Sequence, residues 1–195
     1  MERRDFVKAS TLAGIGALVL PNSLFAGQLP TDRKVRLGFI AVGYRGQSHL
    51  EEMMKRDDLE IIAIADPEPR MMKDALSLVQ RAGRKEPAVY SNGDEDYKNL
   101  LQRDDIDAVF VCSPWEWHLK HGIDAMKAGK IVGMEVCGAM KLSDCWDFVK
   151  TYEETKTPIM MLENVCYRRD VMAVLNMVKQ GLFGELVHGQ GGYEH

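Results

Sequence analysis

Val35-Arg36-Leu37-Gly38-Phe39-Ile40 runs directly into Ala41-Val42-Gly43-Tyr44-Arg45-Gly46. The first run is apolar enough to be a strand covered on both faces. The second has the spacing of a Gly-x-Gly-x-x-Gly turn that opens a helix, with alanine in the first glycine place. In such a turn Gly43 lets the backbone approach a phosphate, and Gly46 lets the helix pack close to the strand. The helix start then offers free N–H groups and partial positive charge. Ala41 weakens the match, because a tight turn favours a residue without a side chain there. Taken alone, Gly-x-x-Gly also suits the steric needs of an ordinary strand-to-helix junction.

The surroundings sharpen the reading. Short apolar runs over 35–40, 60–65, 88–90, 108–112, 131–135 and 159–162 predict strands. Between them the spacing predicts helices over 47–56, 69–81, 94–102, 116–128 and 143–155, with Gly83 and Gly129 in C-cap places. Strand–helix alternation of this kind builds a doubly wound parallel α/β sheet of the Rossmann type. A further helix over 170–180 and a last strand over 185–193 would open a second, α+β open-sheet domain. The expected domains are thus 33–165 for nucleotide binding and 166–195 for the start of a substrate domain, the chain being expected to be truncated there.

Asp66 ends the second strand, 23 residues after Gly43. A carboxylate there can accept both ribose hydroxyls of an adenosine and repels a 2′-phosphate, which favours NAD over NADP. Serving as a helix N-cap before Pro67 is a compatible alternative. Trp115-Glu116-Trp117-His118 follow the fourth strand through Ser113-Pro114, Glu135 and Val136 follow the fifth, and Asn164 the sixth. Ligands of open α/β sheets sit beyond the carboxyl ends of the strands, where these groups converge. For His118 alone, a bond to backbone in the first helical turn is the plainer alternative.

Composition narrows the rest. A net charge of −4 with interspersed acids and bases argues against nucleic acid as a partner. Cys112, Cys137, Cys145 and Cys166 lack Cys-x-x-Cys spacing, so no metal site is expected. Cys112, Cys137 and Cys166 are read as small semi-buried fillers at strand ends. Arg3-Arg4-Asp5-Phe6-Val7-Lys8, the apolar run from Thr11 to Leu20 and the small-residue exit Phe25-Ala26-Gly27 form a twin-arginine leader over 1–27. That apolar run is shorter than the roughly 20 residues a membrane span needs. Export by the twin-arginine translocase to the periplasm is the expectation.

Asp107-Ala108-Val109-Phe110-Val111-Cys112-Ser113-Pro114, then His118, then Ala125-Met126-Lys127-Ala128-Gly129-Lys130 and Glu135, resembles the glucose–fructose oxidoreductase superfamily. Most of its members read Glu-Lys-Pro after the fifth strand, the lysine being catalytic; this chain reads Glu135-Val136-Cys137. With the leader, Trp-Glu-Trp-His, Glu-Val and Glu163-Asn164-Val165-Cys166-Tyr167-Arg168-Arg169-Asp170, it is similar to glycoside hydrolase family 109. Those are NAD-dependent exo-glycosidases, the type activity being α-N-acetylgalactosaminidase.

The resemblance implies NAD contacts at Gly43, Tyr44, Arg45, Gly46, Asp66, Trp115, Glu116, Trp117, His118, Glu135, Val136 and Asn164, and a substrate contact at Tyr193. Tyr167 and His195 are candidate catalytic residues; for Tyr167 an aromatic plug between sheet and helix is the alternative. The implied substrate is a terminal N-acetylgalactosamine-type glycoside. The implied route is C3 oxidation, C2 deprotonation, loss of the C1 leaving group, water addition and re-reduction. An NAD-dependent sugar or inositol dehydrogenase and a non-catalytic NAD-binding fragment are the rival readings. A homo-oligomer stays open for the full-length form.

Overall fold

The computed structural model describes residues 33–192. The leader, Tyr193 and His195 therefore lie outside the described residues. The chain divides into two compact units, meeting in sequence between Met161 and Leu162.

In the first unit, β1 (Val35–Ile40), β2 (Leu59–Ala65), β3 (Ala88–Tyr90), β4 (Ala108–Val111), β5 (Ile131–Met134) and β6 (Ile159–Met161) form one sheet. Every pairing is parallel, in the order β3-β2-β1-β4-β5-β6. The order reverses between β1 and β4, which makes that crevice the topological switch point of a Rossmann sheet. The helices are α1 (Tyr44–Met54), α2 (Pro69–Arg81), α3 (Tyr97–Leu101), α4 (Trp115–Lys127) and α5 (Leu142–Thr155).

The apolar strands make two cores, one on each face. On one face Leu37, Phe39, Ile61 and Ile64 pack with Leu50 and Met54 of α1 and Met72, Ala75 and Val79 of α2. On the other, Ile40, Val109, Val111 and Val132 pack with Leu100 and Leu101 of α3 and Ala125 and Met126 of α4. Both cores fix the same thing: the carboxyl ends of β1, β2, β4 and β5 open along one edge. At the amino-terminal edge of the sheet Asp107 takes hydrogen bonds from the Arg33 and Arg36 guanidiniums at 2.7–2.9 Å. Those bonds hold its carboxyl well below the usual carboxylate range.

Two helices differ from the expected spans by three residues at one end, the others by one at most. The helix expected from 47 begins at Tyr44, because Gln47 N–H reaches the Gly43 carbonyl at 2.9 Å and closes a turn earlier. The helix expected over 94–102 shrinks to Tyr97–Leu101. Asp96 competes with it: its carboxylate accepts from Asn92 N at 2.8 Å and Asn99 Nδ2 at 2.7 Å, holding the chain in a turn.

The second unit contains a 3₁₀ turn, Val165–Tyr167, and α6 (Arg169–Lys179). The strand expected over 185–193 does not form across its described residues, which are a bend followed by irregular chain. A strand needs a neighbouring backbone to satisfy its N–H and C=O groups, and no described residue pairs with this segment. Cys166 is exposed rather than semi-buried, while Cys112 and Cys137 are partly buried; all four cysteines are free.

Candidate functional site

At the end of β1 the chain turns through Ala41, whose φ of 70° is left-handed. That conformation costs a non-glycine residue roughly 1–2 kcal/mol, so the turn forms in spite of its alanine. Gly46 is required by packing. A Cβ on it would lie 2.5 Å from the Ala41 carbonyl oxygen. Gly43 is different: it has an ordinary φ of −60°, it caps α1, and a Cβ on it would meet no protein atom within 4 Å. Nothing in the fold demands glycine at 43. The open space above it, at a helix N-terminus, is what an approaching pyrophosphate needs.

Asp66 ties this turn to β2. Its Oδ2 accepts from Val42 N at 2.7 Å and its Oδ1 from Glu68 N at 2.8 Å. The α2 cap itself is Glu68, whose side chain accepts from Arg70 N. A carboxylate oxygen can accept more than one bond, so Asp66 retains acceptor capacity while bracing the turn.

Glu135, at the end of β5, is 5% exposed. Arg45 Nε donates to its Oε1 at 2.8 Å, and His49 Nε2 meets the same oxygen. Burial works to raise this carboxyl, but the bonds from His49 and Arg45 outweigh it and leave it below its ordinary value. The clamp joins β5 to the first turns of α1 across the switch point. Cys112, just beyond β4, is pushed up to about 12 by burial, with the Glu135 charge adding to it; it is an inert thiol. Replacing Glu135 with Gln removes the charge that both cations share. Because Arg45 is half exposed, about 1–2 kcal/mol of stability is expected to be lost. The midpoint of urea unfolding measures it.

The four residues after β4 do not act alike. Trp115 is 57% exposed and Glu116 is exposed, whereas Trp117 is half-buried. His118 is 1% exposed, its Nδ1 against Cys137 O at 2.7 Å and its Nε2 against Ser113 O at 2.8 Å. It joins the loop after β5 to the loop after β4 and presents no free nitrogen. Tyr44, at 80% exposure, stands on the surface beside the turn. Val136 is half-buried, and its peptide bond to Cys137 is cis. Asn164 and Tyr167 are exposed residues of the second unit.

Beside Asp66 the strand ends enclose a cavity of about 210 Å³, lined among others by Ala41, Asp66, Tyr97, Ser113, Trp117 and His121. Sequence reasoning missed His121, His49, Ser113 and Tyr97. The signal for His121 was its place one helical turn after Trp117, on the same face of α4.

Gly43, Asp66, the Glu135 clamp and the cavity all lie at the carboxyl ends of the strands of a Rossmann sheet, the edge where such folds hold their ligands. Residues 35–162 match the family described as an oxidoreductase family with an NAD-binding Rossmann fold, and the chain belongs to that family. Residues 167–195 match the glycosyl hydrolase 109 C-terminal domain, which bears out the resemblance read from the sequence. A glycosyl hydrolase family 109 protein of Stenotrophomonas maltophilia is 47% identical over 100% of this chain and 42% of its own length. An alpha-N-acetylgalactosaminidase of Tannerella forsythia is 39% identical over 99% of this chain and 45% of its own length. The chain thus spans less than half the length of these relatives. Among solved structures, a scyllo-inositol dehydrogenase of Lactobacillus casei with bound NAD(H) shares the fold at a TM-score of 0.68. It is 21% identical, over 78% of this chain and 43% of that one.

Proposed function

We propose that this chain carries the NAD-holding domain of an exo-glycosidase that acts on terminal N-acetylgalactosamine-type glycosides. The observation that carries the reading is the end of β5. There Glu135 is fastened to Arg45 and His49, and the aliphatic Val136 follows where the superfamily's dehydrogenases place their catalytic lysine. The identity to the Tannerella forsythia enzyme supports the same substrate class.

Bound NAD supplies reversible hydride transfer at the sugar C3, so the cycle consumes no cofactor. The chain's own residues hold and orient it. Gly43 and the N–H groups of α1 receive the pyrophosphate, Asp66 the adenosine ribose, and Trp117, Glu135 and Val136 line the rest of the path. Tyr44, Arg45, Trp115, Glu116, His118 and Asn164 remain proposed contacts through the family resemblance. Tyr193 is the proposed substrate contact, with Tyr167 and His195 as candidates for proton transfer. By itself the chain is proposed to bind NAD without turnover. The remaining catalytic groups are expected in the part of the relatives that it does not span. Export through the twin-arginine translocase to the periplasm fits this chemistry, since a cofactor that regenerates itself works where no soluble NAD pool exists.

The test is to purify the full-length protein without added cofactor and supply p-nitrophenyl α-N-acetylgalactosaminide. Release of p-nitrophenol that leaves the NAD/NADH ratio unchanged, and that stops when NAD is stripped, supports the glycosidase. NADH accumulating with free sugar or inositol would replace it with the dehydrogenase reading.

A further inference from the structure

We propose that Gln47 is a positioning residue for the diphosphate of the bound dinucleotide: it turns the backbone N–H groups of Gly43 and Tyr44 toward the ligand and holds them there. The proposal rests on the assignment of NAD to this domain. It concerns a side chain that acts through the backbone and does not itself touch the cofactor.

Residue 47 grips the turn twice. Its backbone N–H donates to the Gly43 carbonyl at 2.9 Å, and its side-chain Nε2 donates to the Val42 carbonyl at 2.9 Å. A carbonyl oxygen only accepts, so the NH₂ end of the amide is the end that faces Val42. Met71 Sδ, a second acceptor, lies 3.8 Å from the same nitrogen. The two carbonyls belong to the two peptide groups that flank Gly43, and both peptides are trans. In a planar trans peptide the C=O and the N–H point in opposite directions. Gln47 therefore draws both carbonyls toward itself and leaves the N–H groups of Gly43 and Tyr44 facing the other way. Neither N–H has a hydrogen-bond partner among the described residues. Gly43 is half-buried, with open space where its side chain would be.

The side-chain bond matters because the peptide between Val42 and Gly43 is the loose one. Asp66 accepts from Val42 N at 2.7 Å, which fixes only the peptide before it. The bond from Gly43 O to Gln47 N fixes only the peptide after it. Glycine at 43 lets the intervening plane rotate with little steric resistance. A flip of that plane would turn the Val42 carbonyl, with its partial negative charge, to the place where the Gly43 N–H now stands. The diphosphate would then meet an acceptor instead of a donor. Among the described residues the Gln47 amide is what holds the Val42 carbonyl back.

The experiment is an NMR titration of the full chain, native and Gln47→Met, with NAD and with adenosine, which offers the base and ribose but no phosphate. Methionine keeps the length of glutamine beside Met71 and donates nothing. The Gly43 amide resonance of the native protein is expected to move on adding NAD and to stay still on adding adenosine. Gln47→Met is expected to bind NAD about tenfold more weakly, the order set by one hydrogen bond to a charged group, with its adenosine affinity unchanged. Equal NAD affinity in the two proteins overturns the proposal and leaves the cofactor assignment intact. An equal loss for both ligands also overturns it, since a general loosening of the fold does not single out the phosphate. A native chain that binds neither ligand overturns the proposal and the cofactor assignment together. Should Gln47→Met not fold, the native protein still decides, because a Gly43 amide that stays still while NAD binds overturns the proposal.

Discussion

Gly46→Ala is expected to cost the first unit about 3 kcal/mol of stability, while Gly43→Ala leaves it folded and unable to hold NAD tightly. The two glycines are three residues apart in one turn, yet their surroundings are opposite. A methyl group at 46 would sit 2.5 Å from the Ala41 carbonyl oxygen, and 3.4 Å from Cys112 Cβ on the far side. Backbone cannot yield as the end of a flexible side chain does. Ala41 is, moreover, already in the left-handed region. Overpacking of a well-packed site costs typically 1–3 kcal/mol. A backbone clash in a turn this constrained belongs at or above the upper end, about 3 kcal/mol, a large part of a domain's total stability. A methyl group at 43 meets only open space. Exchanging glycine for alanine at that N-cap costs the fold no more than about 1 kcal/mol. The methyl would stand where the pyrophosphate must approach, and a loss of tenfold or more in NAD affinity is expected. Urea unfolding separates the two variants on stability, and calorimetry separates them on binding. A Gly43→Ala variant that binds NAD like the native protein would refute the assignment of this turn to a phosphate.

The strands, the glycine turn after β1 and the acidic end of β2 were legible in the sequence because each is local. A run of apolar residues, a glycine spacing and an aspartate at a strand end are visible in a few consecutive letters. What the sequence concealed was long-range. Arg45 and His49 meet Glu135 across 90 and 86 residues, and no spacing rule announces such a clamp. Trp-Glu-Trp-His looked like one constellation, but the helical period splits it. Trp115 and Glu116 face outward, Trp117 turns to the cavity, and His118 is taken up by two backbone carbonyls. His121 escaped notice because its one local signal, a place one helical turn after Trp117, does not by itself set a histidine apart from any other residue on that face. Its meaning comes from Ser113 on one side and an unpartnered nitrogen on the other. Across its described residues the strand expected over 185–193 does not form, for a related reason: alternation can say that a segment would make a strand, but only a paired neighbour makes it one.

Between pH 6.5 and pH 4 the first unit is expected to lose about 3 kcal/mol of stability, and His121→Phe is expected to abolish that loss. The His121 imidazole falls from 6.5 to about 4 on folding, chiefly through burial and next through the Lys120 charge; Asp124 and Glu95 oppose the fall, and His118 adds to it. The unfolded chain therefore binds a proton in this interval that the folded chain refuses. Stability then rises with pH wherever the unfolded state holds more protons. The contribution is complete above 6.5, declines as pH falls toward 4, and is gone below. A tenfold change in proton affinity corresponds to roughly 1.4 kcal/mol, so the fall from 6.5 to about 4 gives about 3 kcal/mol. The lowered carboxylates act elsewhere on the scale. Asp107, Asp96 and Glu135 start from ordinary values of 3.8, 3.8 and 4.5, so their contributions are lost mainly below the histidine window. Urea unfolding of the native chain and of His121→Phe at half-unit steps from pH 7 to pH 4 resolves the two regimes. If the two stability curves run parallel through the upper part of that range, His121 is not a buried neutral base.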